Sequence, residues 1–185
     1  MHHKLLKLLD EKYYKNMVGI GKYIWWFPLI GGITTLISFS TPAAYFFYDY
    51  PTYSTQFYRW MLDFYVSLVF FENGTQTINT GINTSPTGYI SWICSLLIII
   101  SSIIIILNAN KYRKGIIVPK NNWLIFSLII TTLTLSWMIM KEISTINSYS
   151  HSFWGLLSPG FGIIGPFLGA GLILVGYLFL KIRLP

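Results

Sequence analysis

Three runs of this chain carry no charged residue and are long enough to cross a bilayer. They are Tyr89 to Leu107 (YISWICSLLIIISSIIIIL), Trp123 to Met140 (WLIFSLIITTLTLSWMIM) and Phe161 to Leu180 (FGIIGPFLGAGLILVGYLFL). A helix rises about 1.5 Å per residue, so roughly 20 apolar residues cross a hydrocarbon core. A fourth run, Tyr23 to Ser40 (YIWWFPLIGGITTLISFS), is shorter and contains Pro28 and the Gly31-Gly32 pair. Its Trp25 and Trp26 suit the headgroup level, where indole rings concentrate. Only 10% of the residues are charged, against about 25% in soluble domains, so an ordinary soluble protein is excluded.

The net charge of +7 is an orientation signal rather than a nucleic-acid footprint, because of where its residues lie. Lys4, Lys7, Lys12, Lys15 and Lys22 precede the first run. Lys111, Arg113, Lys114 and Lys120 lie between the second and third, and Lys181 and Arg183 follow the fourth. A four-span reading therefore gathers 11 of 13 basic residues on one side, leaving Arg59 and Lys141 on the other. The positive-inside rule then puts both termini in the cytoplasm of a cell-membrane protein. The chain divides into a cytoplasmic amphipathic segment (1–22), a first span (23–40), a first external loop (41–88) and a second span (89–107). A basic cytoplasmic loop (108–122), a third span (123–140), a second external loop (141–160), a fourth span (161–180) and a cytoplasmic tail (181–185) follow. Leu5, Leu6, Leu9, Tyr13 and Met17 share a helical face, which suits a helix on the inner leaflet; a solvated tail is the alternative. The long charged lead favours a retained first span over a cleaved signal peptide.

The greasy stretch FYRWMLDFYVSLVFFENGT, Phe57 to Thr75, competes as a fifth span. Counting it as one would move the N-terminal lysines to the side opposite the 108–122 loop and destroy the charge asymmetry. Its uninterrupted apolar part, Phe64 to Phe71, is too short to span, and Arg59 and Asp63 would be costly in lipid even if a helix paired them. It is read as external. Its β-branched and aromatic residues favour strands. Asn73-Gly74-Thr75 reads as a turn, Thr75 to Thr87 as a second strand, and AYFFYDYPTYSTQFY upstream as another. An interfacial helix is the alternative. Asn73 and Asn83 each open a glycosylation triplet, consistent with an outside location. Trp60, Arg59, Asp63, Phe64 and Phe70, with Trp154 of the second external loop, are the candidate contact and anchor residues of the ectodomain.

Within the fourth span, Gly162, Gly165, Gly169 and Gly176 form a stripe of small residues that lets another helix approach. That partner is a second copy or a helix of the same bundle; the bundle is the simpler reading. Ser127, Thr131 and Thr134 line one side of the third span, and their hydroxyls suit bonds to helix backbone. The lone Cys94 allows no intrachain disulfide. His2 and His3 lack partners, and Asp49, Asp63 and Glu72 are scattered through the first loop. No phosphate loop or nucleophile motif occurs. No catalytic, cofactor or metal site is expected, and the chain is read as not an enzyme.

The resulting fold class is an all-α four-helix transmembrane bundle with a small extracellular β-sheet between the first and second spans. This plan, with GGITTLISFSTPAAYFF leading to Phe57-Tyr58-Arg59-Trp60, resembles the claudin superfamily. The chain lacks that family's Gly-Leu-Trp element in the first loop and its stapling cysteine pair. The resemblance implies a left-handed bundle, an outward sheet and a structural or adhesive role. The expected partners are the lipid bilayer and itself or other membrane proteins, by lateral or ectodomain contact, with no nucleic acid. An accessory subunit of a larger membrane enzyme complex is the alternative. A small channel or transporter is disfavoured by the charge-free spans.

Overall fold

The structure is a computed structural model that describes residues 23–116 and 121–183. The N-terminal amphipathic segment and Lys120 lie outside the described residues. The chain forms α1 (Trp26–Ser38), β1 (Ala44–Asp49), β2 (Tyr53–Arg59), β3 (Phe64–Phe71) and β4 (Gln76–Ile82). It continues through α2 (Pro86–Arg113), α3 (Asn122–Tyr149), a one-turn α4 (Phe153–Leu156), β5 (Ser158–Pro159) and α5 (Phe161–Arg183). Helices α2, α3 and α5 are long and apolar enough to cross a membrane, and α1 is a shorter apolar helix. The chain is a multi-pass helical membrane protein built as a four-helix arrangement with a five-stranded antiparallel sheet.

The bundle is apolar on its outside as well as in its core, and small hydroxyl residues are buried between its helices. Along α2 the buried positions include Ser91, Ser95, Ser101 and Ser102, while Ile90, Ile93, Ile100 and Ile103 face outward. Helices meet in lipid through small residues and hydroxyls, since alkyl side chains gain nothing by leaving a hydrocarbon solvent. The hydroxyls find backbone partners. Ser102 Oγ donates to Ile98 O at 2.8 Å, Thr131 Oγ1 to Ser127 O at 2.9 Å and Thr134 Oγ1 to Ile130 O at 2.7 Å. Ser127 instead crosses to α5, donating to Ala170 O at 2.8 Å.

The glycine stripe of α5 faces α1. A Cβ on Gly165 would strike Ser38, one on Gly169 would strike Thr35 and the Gly31 carbonyl, and one on Gly176 would meet Pro28. Gly162 lies just beyond, against the Thr41–Ala43 backbone. Gly32 of α1 faces α2, against Ile106 and the Ser102 carbonyl. The Gly31-Gly32 pair thus lets one short helix pack closely against two neighbours.

The sheet order is β4-β3-β2-β1-β5. Four strands come from between α1 and α2, as the aromatic-rich sequence suggests. The stretch AYFFYDYPTYSTQFY supplies two of them, β1 and β2, reversed at Tyr50–Thr52. The β3–β4 turn uses Gly74 at φ +79°, and Asn73 Oδ1 accepts from Thr75 N at 3.0 Å, so the first triplet is a side-chain-closed turn. The fifth strand comes from between α3 and α5, where Tyr45 pairs with Ser158 and Ala44 with Pro159. Two residues are too few to leave a sequence pattern. Helix α3 also continues past the apolar run that ends at Met140, to Tyr149.

Substituting leucine for Gly169 should destabilise the α1–α5 contact by about 1–3 kcal/mol through overpacking. Gly171→Ala, whose Cβ meets nothing within 4 Å, should cost nothing or add helix stability. Reversible unfolding in mixed micelles compares the two.

Candidate functional site: an ion cluster beneath an open sheet

The β2–β3 connection is the tight turn Trp60–Met61–Leu62–Asp63. Asp63 N donates to Trp60 O at 2.9 Å, and Asp63 takes the left-handed conformation at φ 58°. Aspartate tolerates that region better than most residues, because its short side chain can bond locally. The turn points into the bundle. Met61 is 1% exposed, and its carbonyl accepts from Ser95 Oγ of α2 and Trp137 Nε1 of α3, both at 2.9 Å.

Asp63 is fully buried, and its carboxylate is surrounded by donors. Oδ1 accepts from Arg59 Nε at 2.6 Å. Oδ2 accepts from Asn83 Nδ2 at 3.1 Å and from Lys141 Nζ. The Lys141 side chain is 2% exposed, and its ammonium lies 5.6 Å from the Trp137 ring centroid. The Arg59 guanidinium lies 5.9 Å from the Phe153 ring. One carboxylate therefore joins the β2–β3 turn, the β4–α2 junction and α3, with α4 stacked alongside. The aromatic surround lowers the local dielectric and strengthens these charge-assisted bonds.

Arg59 and Asp63 do pair, but across a reverse turn between strands rather than along a helix. Both anchor the sheet from within, and Asp63 presents nothing to the outside. Trp60 lies at the sheet's base, donating from Nε1 to Ser40 O at 3.3 Å and packing on Phe64 at 5.3 Å. Phe70 is 36% exposed near the far tip. Trp154 packs edge-on to Phe153 at 4.8 Å, and its backbone N–H donates to Glu142 Oε2 at 3.2 Å. Asn73 is exposed, whereas Asn83 is half-buried with its amide nitrogen occupied by Asp63.

Reading the residues in order misses Lys141, Trp137 and the role of Asn83. One signal pointed to the first: Arg59 and Lys141 are the two exceptions to the charge count, and they converge on the same aspartate.

The two sheet faces differ. On the cap face, Ala44, Phe46 and Phe57 pack against Phe153 and Leu157, and Thr55, Ser67, Thr77 and Asn79 lie farther out. The open face carries Tyr45, Phe47, Tyr58, Val66, Leu68 and Ile78. At the tip, Asp49, Pro51, Phe71 and Glu72 line a depression of about 230 Å³. There the neighbouring Tyr50 hydroxyl raises the Tyr48 phenol above its ordinary pKa. Asp49 and Glu72 are thus a strand length from Asp63. No group of three potential metal ligands occurs among the described residues. A cleft of about 650 Å³ lies between α2 and α3, lined by Leu97, Ile100, Ile125 and Leu128. The chain matches no protein-family model and no curated protein sequence.

Removing one partner from a buried ion cluster costs about 3–5 kcal/mol, because the remaining charge is left unpaired. Asp63→Asn keeps a residue suited to the left-handed turn and removes that charge, so it should unfold at lower denaturant. Lys141→Met in the same background should recover part of the loss. A double-mutant cycle measured by denaturation in micelles reads the coupling; simple additivity of the two substitutions would refute it.

Proposed function

We propose that this protein is a non-enzymatic membrane protein of claudin-like plan that acts through association of its ectodomain. In this reading both termini are cytoplasmic and the sheet lies outside the cell membrane, as the distribution of lysine and arginine supports. The observation that carries the proposal is the β4 edge. Among the described residues Gln76–Ile82 pairs with β3 on one side only, six of its seven residues are exposed, and none is charged or proline. Natural sheets blunt exposed edges with lysine, proline or bulges, and strands left bare serve strand addition. The ion cluster supports the same reading, since it holds the sheet rigidly over the bundle and presents the edge at low entropic cost.

The second reading, an accessory subunit of a larger membrane complex, draws on the apolar cleft between α2 and α3, which has the form of a seat for a partner helix. A mild-detergent pulldown separates the two: self-association supports the first, and fixed stoichiometry with other subunits supports the second.

If β4 pairs antiparallel with its own copy, residues near its centre face themselves across a two-fold axis, with Cα atoms about 4.5–5.5 Å apart. Asn79→Cys in a Cys94→Ser background should give oxidised dimers in native membranes, and Thr52→Cys should not. Absence of crosslinking from every cysteine placed along β4 would sink self-association by this edge. In a glycosylating host, Asn73→Gln should abolish the glycan shift and Asn83→Gln should leave it, as seen by gel mobility before and after glycosidase. Loss with Asn83→Gln alone would overturn that assignment.

A further inference from the structure

We infer that the open face of the sheet rests in the interfacial layer of the adjoining leaflet, so that lipid, and not protein, covers it. This goes beyond the association reading and does not depend on it.

The open face of the sheet is not the polar surface expected of a water-bathed ectodomain. The cap face is covered near the base by Phe153 and Leu157, and farther out it mixes Thr55, Ser67, Thr77 and Asn79 with Tyr48, Tyr53, Val69 and Phe71. The open face is apolar over most of its length and uncovered. Phe47 and Ile78 are each 58% exposed there, and Ile82 is 54% exposed. Most of that face's polar residues, Asp49, Ser54 and Gln76, lie at the far tip, and Gln56 accepts from the Tyr58 hydroxyl at 3.2 Å. No lysine or arginine lies on it. A contiguous apolar surface of this kind needs a partner.

The partner is indicated by continuity with the lipid-facing belt. Trp60 bridges the two surfaces, packing on Tyr58 and Phe64 at the base of the open face while its indole N–H reaches the Ser40 carbonyl just past α1. Below it, Ile30, Ile33 and Ile37 of α1 are exposed to lipid. At the other edge, Ile82 leads through a short link to Tyr89, Ile90 and Ile93 on the outward side of α2. Helix α1 has 13 residues, so its regular part covers about 20 Å, roughly 10 Å less than a hydrocarbon core. On this side the base of the sheet takes over where the helix stops. Tryptophan and tyrosine are the side chains that favour the headgroup boundary, with an apolar ring inward and a polar atom at the wet edge. A sheet lying this way turns the β4 edge sideways along the membrane, which makes association through it lateral.

The test uses the full chain with Cys94→Ser in phosphatidylcholine–phosphatidylglycerol vesicles, carrying one nitroxide at a time. Open-face sites are Val66→Cys, Leu68→Cys and Ile78→Cys; cap-face sites are Ser67→Cys, Thr77→Cys and Asn79→Cys. Thermal unfolding of each labelled chain confirms that it is folded. Collisions with oxygen, which concentrates in lipid, are compared with those of a water-soluble nickel chelate. The inference expects open-face labels to favour oxygen several-fold and cap-face labels to favour nickel, alternating residue by residue along β3 and β4. Equal nickel access on both faces would overturn it. Open-face labels shielded from both reagents, with spin–spin broadening lost on dilution by unlabelled chain, would also overturn it. That pattern would show a second copy covering the face and would leave the association reading standing.

Discussion

The buried carboxylate of Asp63 is the joint on which the two halves of this molecule depend. The sheet and the bundle share little packed surface, so their relative placement rests on a few directional contacts. Arg59, Asn83 and Lys141 reach the same side chain from three parts of the chain, and Ser95 and Trp137 hold the Met61 carbonyl beside it. Polar groups in such a place are worth most when all their bonds are made and cost most when one is missing. An apolar plug would fill the same space but would not set the angle of the sheet. Carboxylate geometry does, because each of its oxygens accepts along defined directions.

The same logic of solvent explains the bundle. Serine, threonine and glycine share the space between the helices with a core that includes Ile98, Ile105, Ile130 and Ile173, because lipid lowers the reward for burying alkyl groups and leaves close contact as a main source of cohesion. Helix α1 shows the consequence most clearly. It is short and interrupted by glycines, yet it closes the ring, with one glycine against α5 and the next against α2. The stripe Gly162, Gly165, Gly169 and Gly176 is used within the chain for this purpose and is not left as an outward surface.

Much of the fold is local and was therefore legible. A run such as YISWICSLLIIISSIIIIL is apolar over its whole length whatever its neighbours do. The class of the first loop was legible too. Phe64 to Phe71 is rich in strand formers and is followed by Glu72-Asn73-Gly74, and strands do lie there. The pairing of Arg59 with Asp63 was visible as spacing, but the spacing suggested a helix, and the left-handed turn at Asp63 that makes it is a backbone event with no pattern of its own. Two-residue β5 was invisible for the same reason, since its strand character exists only in its bonds to Ala44 and Tyr45.

By itself the sequence determined that the solvent is lipid and that the apolar helices number four, and it favoured strands over an interfacial helix for the aromatic loop. Each is a sum over neighbouring residues, read from hydropathy, charge or propensity. Only the tertiary structure decided that Lys141 meets Asp63 across 78 residues, that Asn83 is held inward while Asn73 is exposed, and that one sheet face is covered near its base and the other bare. Those outcomes depend on which distant groups arrive at the same point. A buried charge selects its partner by geometry in three dimensions, which linear order does not record.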